Sequence, residues 1–320
     1  MNPRREAGFT LVELVTTLTL TAIVASFAAY FLTVPIEGYA ALSRRAVLVD
    51  RAEMALRRIG RDLRRALPNS VRVSGAGGVV AVELLDTLDG VRYRTDTPPG
   101  DPDRVLDFAA PDDAFNSIGP FSVAKPFSST TAYLSIYNVG VTGANAWDLA
   151  NVITPPGTQI DIAAAATPDE DRVTLSPPFR FRYGSPGQRL FLVSGPVTWL
   201  CDAVGGTLTR YTGYAIDAAQ SNRDSDAELM AAGATRTLVS DSISACGFNY
   251  TPGTAQRAGL VSAQLEDADA GERITLQHQI HVVNAPHGDD RKRGKHHNQK
   301  DRGQKRKAAL RVVAVWPHGA

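Results

Sequence analysis

Cysteine is almost absent: Cys201 and Cys246 are the whole supply in 320 residues. They form no CxxC pair, and no Cys/His spacing resembles a zinc site, so a zinc-binding module is excluded. A Gly-x-Ser-x-Gly elbow, a paired-carboxylate motif and a dinucleotide fingerprint are also missing. Gly75-Ala76-Gly77-Gly78 makes a turn, but no Lys-Ser/Thr and helix follow it, so it cradles no phosphate. Asp86, Asp89, Asp96, Asp101, Asp103, Asp107, Asp112 and Asp113 could supply calcium oxygens. They never fall into EF-hand order, and solvated loops with Asx-turns are the expectation. His278 and His281 are three apart in an expected strand, so they point to opposite faces and cannot chelate together. These absences leave no catalytic residue, metal or cofactor to name and no small-molecule substrate. The expectation is a protein that is not an enzyme.

Charge is missing from one long stretch, residues 14–36. Taken from Phe9, residues 9–32 make about 36 Å of helix, enough to cross a hydrocarbon core of about 30 Å. One carboxylate, Glu13, stands near the start of this apolar run. Unpaired in lipid it would cost roughly 2.5–3.5 kcal/mol, so it must lie at the interface or have a partner. Ala22 with Ser26, and Ala25 with Ala29, place small residues at i, i+4, which permits close helix approach. Arg4 and Arg5 precede the run and Arg44 and Arg45 follow it, so charge alone leaves the orientation open. An ordinary secretory signal, cleaved within the small residues 25–29, and a plain membrane anchor both fit these facts.

Gly8-Phe9-Thr10-Leu11-Val12-Glu13 behind a short basic leader resembles the processing signature of type IV prepilins and pseudopilins. The resemblance implies that residues 1–8 are a leader, that prepilin peptidase cuts after Gly8, and that Phe9 becomes an N-methylated terminus. It also implies that Glu13 neutralises the terminal amine of a neighbouring subunit. The amino terminus would be cytoplasmic and the body periplasmic, where Cys201 and Cys246 read as one disulfide; two buried free thiols are the alternative. FLVSGPVTWLCD at 191–202, LTRYTGY at 208–214, Ser244-Ala245-Cys246, Gly259-Leu260-Val261 and the run from His281 to Pro286 extend the likeness. They resemble the MshO family of minor pilins from mannose-sensitive haemagglutinin (MSHA) type pili. Implied partners are other major and minor pilins, prepilin peptidase and the inner-membrane pilus assembly platform; nucleic acid is not expected. A minor pseudopilin of a type II secretion system shares the amino-terminal signature. A signal-anchored periplasmic binding module, starting near residue 29, is the reading from a different class.

Beyond the apolar run, Pro35 predicts a kink rather than an end to the helix. Leu48, Ala52, Ala55, Ile59, Leu63 and Ala66 then recur at helical spacing, and Pro68-Asn69 stops the pattern. The opposite face carries Arg44, Arg45, Arg51, Arg57, Arg58, Arg61, Arg64 and Arg65, offset by Asp50, Glu53 and Asp62. Asp62 is expected to pair with Arg58 and Arg65, and the face to dock on acidic neighbouring subunits.

From residue 71 the period shortens to strands at 79–85, 91–94, 105–108, 133–137, 172–175, 179–182, 189–193, 197–200 and 208–214. Residues 138–171 look like a loop-rich surface insertion, and 227–238 like a helical or irregular segment. Strands at 248–251, 260–266 and 273–283 follow, the last two joined as a hairpin by a turn ending in Gly271. The expected fold is α+β and pilin-like: a leader 1–8, an N-terminal helix 9–67 (9–32 transmembrane) and an antiparallel β domain 68–286. Residues 287–320 hold ten Lys/Arg against three Asp, a charge of +7 that leaves −6 on the rest of the chain. That tail is polar and expected to be disordered, and in the resembling family the chain ends near Asn284-Ala285-Pro286.

Overall fold

The computed structural model describes residues 10–96, 105–253 and 257–282. The expectations at Gly8, Phe9, Asp101, Asp103, Asn284 and the tail 287–320 lie outside the described residues. One helix, α1 (Leu11–Arg65), runs unbroken through Pro35, so the proline does not end it. Within it, the segment Leu11–Phe31 is not buried against any other described part of the molecule. Its second half turns Leu48, Ala52, Ala55, Ile59 and Leu63 inward, all fully buried, together with Leu56, which the sequence pattern had not included.

The helix ends at Arg65, and the chain re-enters the β domain at once. Leu67 N–H donates to the Leu85 carbonyl at 2.7 Å. Strand β1 (Arg72–Ala76) folds back on β2 (Val79–Tyr93) through a two-residue turn at Gly77-Gly78. Both glycines have positive φ, 61° and 88°, as a tight hairpin of this twist demands.

Ten strands form the larger sheet. β2 pairs along its length with β8 (Arg189–Asp202), which continues to β9 (Thr207–Thr212) and β10 (Thr235–Ser240). On the other side β2 passes to β3 (Asp112–Ile118), β7 (Asp171–Phe179), β6 (Gln159–Ala164) and β4 (Phe127–Ser129). The short β5 (Tyr133–Ser135) also pairs with β8. A separate sheet holds β11 (Ile243–Thr251), β12 (Gly259–Asp269) and β13 (Glu272–Val282) in antiparallel order. The β12–β13 turn is Ala270-Gly271, both with positive φ, as the hairpin reading expected.

Several sequence expectations are corrected here. Residues 79–85 and 91–93 belong to one strand, which ends at Tyr93 rather than Arg94, and 189–193 and 197–200 also belong to one strand. Both strands bend where they face each other, with register shifts around Asp86 and Thr87 opposite Gly195 and Val193. Residues 105–108 form a loop, not a strand, although Leu106 is buried. The expected insertion at 138–171 contributes core: Ala146, Trp147, Val152, Ile153, Ile160 and Ile162 are all buried. Within 227–238 a short helix, α2 (Asp226–Ala231), gives way to the edge strand β10.

The main core lies where α1 meets both sheets. Leu56, Ile59 and Leu63 pack with Val82 and Leu84 of β2, Val197 and Trp199 of β8, and Val261, Leu265 and Ile280 of the smaller sheet. Burial of that apolar surface fixes the helix to both sheets at once. A second core, around Tyr93, Phe115, Leu134, Ile162, Val173 and Phe181, fills the far end of the large sheet.

Candidate functional site in the amino-terminal helix

Residues Leu11–Phe31 form a segment long and apolar enough to cross a membrane, with mean hydropathy 1.9 and none of it buried in the molecule. Phe27 and Phe31 are 72% and 79% exposed, side chains that water alone would not favour. The helix is nevertheless closed to lipid at its polar atoms. Thr16, Thr17, Thr19 and Thr21 each donate to a carbonyl one turn back, and Ser26 donates to the Ala22 carbonyl at 2.8 Å. No hydroxyl between residues 16 and 26 faces hydrocarbon unsatisfied, which is the condition for a polar side chain in a bilayer.

Thr10 starts the helix: its hydroxyl accepts from the Glu13 backbone N–H at 3.2 Å, an N-cap the sequence pattern had not singled out. Glu13 therefore sits in the first turn, where the helix dipole favours a negative charge.

The outer half of α1 is held by charge as well as by apolar packing. Asp62 is buried and accepts from Arg210 Nε of β9 at 2.7 Å and from Trp199 Nε1 of β8 at 3.0 Å. The expected pairing of Asp62 with Arg58 and Arg65 is thus not the one formed, because the inward face of the helix carries Asp62 towards the sheet. Arg65 instead donates two hydrogen bonds to Asp86 Oδ1, at 2.9 and 2.6 Å, at the bend of β2. Arg45 reaches Glu272 at the start of β13 at 2.6 Å, and this partner holds the Glu272 carboxyl below its usual range. Glu53 pairs with Arg57 one turn along the helix. Among the described residues, Arg58, Arg61 and Arg64 have no ion-pair partner.

Cys201 of β8 and Cys246 of β11 are joined, with Cα atoms 6.5 Å apart. The bond links the two sheets beneath the helix.

One buried polar cluster could be mistaken for a catalytic site. Arg72 Nε donates to Glu83 Oε2 at 2.7 Å, Tyr214 donates to Glu83 Oε1 at 2.9 Å, and the Arg72 guanidinium lies 3.7 Å over the Trp147 ring. Arg72 and Glu83 are directly opposed in the β1–β2 ladder, and Arg72 also donates to the carbonyls of Asp217 and Ala218. Burial raises the Glu83 carboxyl above its ordinary value, against the opposing pull of Arg72 and Tyr214. Every member of this cluster has a structural partner, so it locks strands and loops together. Two described aspartates of the 86–113 stretch hold local backbone: Asp89 accepts from Gly90 N–H at 2.7 Å, and Asp112 from Asp107 and Ala114 N–H. His278 lines a groove beside α1, while His281 is exposed on the other face of β13.

Against known proteins, the family described as "Prokaryotic N-terminal methylation motif" matches residues 3–29. No curated protein and no solved structure matches the chain. The matched segment includes Gly8, Phe9 and Glu13 and most of the uncovered segment Leu11–Phe31. The chain carries a prepilin-type amino terminus on a membrane-anchoring helix, which supports a type IV pilin-like or pseudopilin protein.

Proposed function

We propose that this chain is a minor pilin of the MshO type, acting in the initiation or assembly of an MSHA-like type IV pilus. Its role is structural, not catalytic. One observation carries the reading: the methylation motif runs into a helix whose segment Leu11–Phe31 is uncovered and whose second half is locked into a β domain. Such a helix is stored in a membrane through its bare half and, once extracted, buries that half among like helices. Residues 1–8 are the leader, 9–67 the assembly helix, 68–286 the periplasmic domain and 287–320 a basic appendage. Gly8 is the cleavage residue, Phe9 the methylated terminus, and Glu13 the carboxylate that meets a neighbouring amine.

The sequence segments around Cys201, Cys246 and residues 281–286 favour the MSHA pilus over the second reading, a minor pseudopilin of a type II secretion system. A partner set of major and minor pilins, prepilin peptidase and the assembly platform follows. The subunit sits near the tip with another subunit above it, since Glu13 at the extreme end would be desolvated without compensation.

Gly8→Val tests the reading, because a side chain there blocks the peptidase. The variant is expected to stay full length and unassembled; normal processing would overturn the proposal. Deleting the gene separates the two systems, since a pilus subunit abolishes surface pili and leaves secreted enzymes unaffected.

A further inference from the structure

We infer that the unpaired guanidinium ridge of Arg58, Arg61 and Arg64 docks a carboxylate-bearing helix of a neighbouring pilin-like subunit, an inference that rests on the assembly role proposed above. The ridge stands between two clefts. One, of about 410 Å³, has Asp62, Trp199 and Arg210 in its wall; the other, of about 740 Å³, lies against His278 and Ile280 of β13. Arg58, Arg61 and Arg64 line both, so the three side chains are reachable from either side.

The charge on this ridge is not compensated internally. Asp62 is committed to Arg210 and Asp86 to Arg65, and Glu53 to Arg57. Three guanidiniums crowded on one exposed face repel each other, and an external anion relieves that repulsion. Exposed apolar side chains lie along the same helix. Tyr39, Leu42, Val47 and Met54 are 76%, 66%, 47% and 59% exposed, and Met54 lines the larger cleft.

Position decides the class of partner. Arg61 lies about 45 Å of helix beyond Phe31, far past the screening length of about 8 Å over which anionic headgroups act. A nucleic-acid backbone fits poorly, because Asp50 and Glu53 stand on the same face just below the arginines and would repel phosphate. That order, acidic then basic, suits a parallel helix of the same character instead. Shifted by eight residues, about 12 Å, the position of Asp50 on one helix meets that of Arg58 on the next.

The test uses the full-length protein extracted from its own membranes in mild detergent. Wild type is compared with Arg58→Glu/Arg61→Glu/Arg64→Glu and with the corresponding triple lysine variant. Co-purifying subunits are counted only if they carry a methylated, prepilin-processed terminus. The glutamate variant is expected to retain about tenfold less of them, the lysine variant to recover most of the loss, and added salt to weaken the wild-type complex. Non-reducing electrophoresis shows whether each variant keeps the Cys201–Cys246 bond; if the triple variant lacks it, Arg61→Glu alone is used, with a loss of about threefold expected. Unchanged retention in the glutamate variant would overturn the inference, as would failure of lysine to restore it. A short duplex DNA probe that binds wild type and is lost in the glutamate variant, with subunits retained, would overturn it in favour of nucleic acid. If wild type keeps residues 1–8, the pilin reading itself fails; if Phe9 is methylated and the variants behave alike, only the docking surface falls.

Discussion

Cys201 and Cys246 connect two strands that share no backbone hydrogen bond, β8 of the ten-stranded sheet and β11 of the three-stranded one. Helix α1 covers the junction between those sheets, so apolar packing and a covalent link act on the same seam. The bond spans a sequence separation of 45 residues, for which loss of chain entropy in the unfolded state corresponds to about 4 kcal/mol. Cys201→Ser with Cys246→Ser is expected to lower stability by about that amount in urea unfolding followed by tryptophan fluorescence. A variant as stable as wild type would show that the helix alone holds the sheets together.

Asp62 gives the second prediction. Replacing it with alanine leaves the Arg210 guanidinium and the Trp199 indole N–H without their acceptor in a buried setting. Breaking such a pair costs about 3 kcal/mol. Asp62→Ala is therefore expected to destabilise far more than Asp50→Ala on the exposed face of the same helix. Equal effects in thermal unfolding would contradict the hub role.

The helix was legible in sequence because its two halves each carry a clean signal: absence of charge in the first and helical spacing of apolar residues in the second. Its charge partners were not. A sequence shows Arg58 and Arg65 within one turn of Asp62, but only the angle at which α1 lies on the sheet brings Arg210, 148 residues away, within reach. The β domain was legible in part. β12 and β13 alternate regularly and turn at a glycine, whereas β2 hides its continuity behind Asp86 and Asp89. Those aspartates look like turn residues, and they are tolerated because Arg65 and the backbone N–H groups of Gly90 and Ser122 satisfy them. β10 escaped notice because it is an edge strand with most of its side chains exposed, so no burial pattern marks it. The amino-terminal motif was readable from six residues because its chemistry depends on local sequence, not on the fold.

Acid behaviour offers the third prediction. Burial raises the carboxyl of Glu83 above its ordinary value of 4.5, and burial likewise raises that of Asp267. A carboxyl whose folded value is raised binds its proton more tightly in the folded state than in the unfolded one. Its contribution to stability is greatest below the unfolded value and is lost as pH rises through the folded value. Glu83→Gln removes that dependence. Compared with the variant, wild type is expected to lose stability as pH climbs from about 4.5 upward. Parallel pH profiles for the two proteins would contradict the assignment.

Glu13 should separate processing from assembly. Glu13→Ala removes the carboxylate proposed to meet a neighbouring amine but leaves the junction at Gly8 untouched. Cleavage is expected to proceed largely as in wild type, while recruitment to the assembling tip complex falls. Full piliation by this variant would show that Glu13 has no pairing role, and would free the subunit to be the terminal cap.

Mass spectrometry of the mature amino terminus, on protein isolated from membranes, tests the central claim most directly. The account predicts a chain that lacks residues 1–8 and begins with N-methylated Phe9. A chain beginning near residue 29, or one that retains Met1 through Gly8, would contradict it.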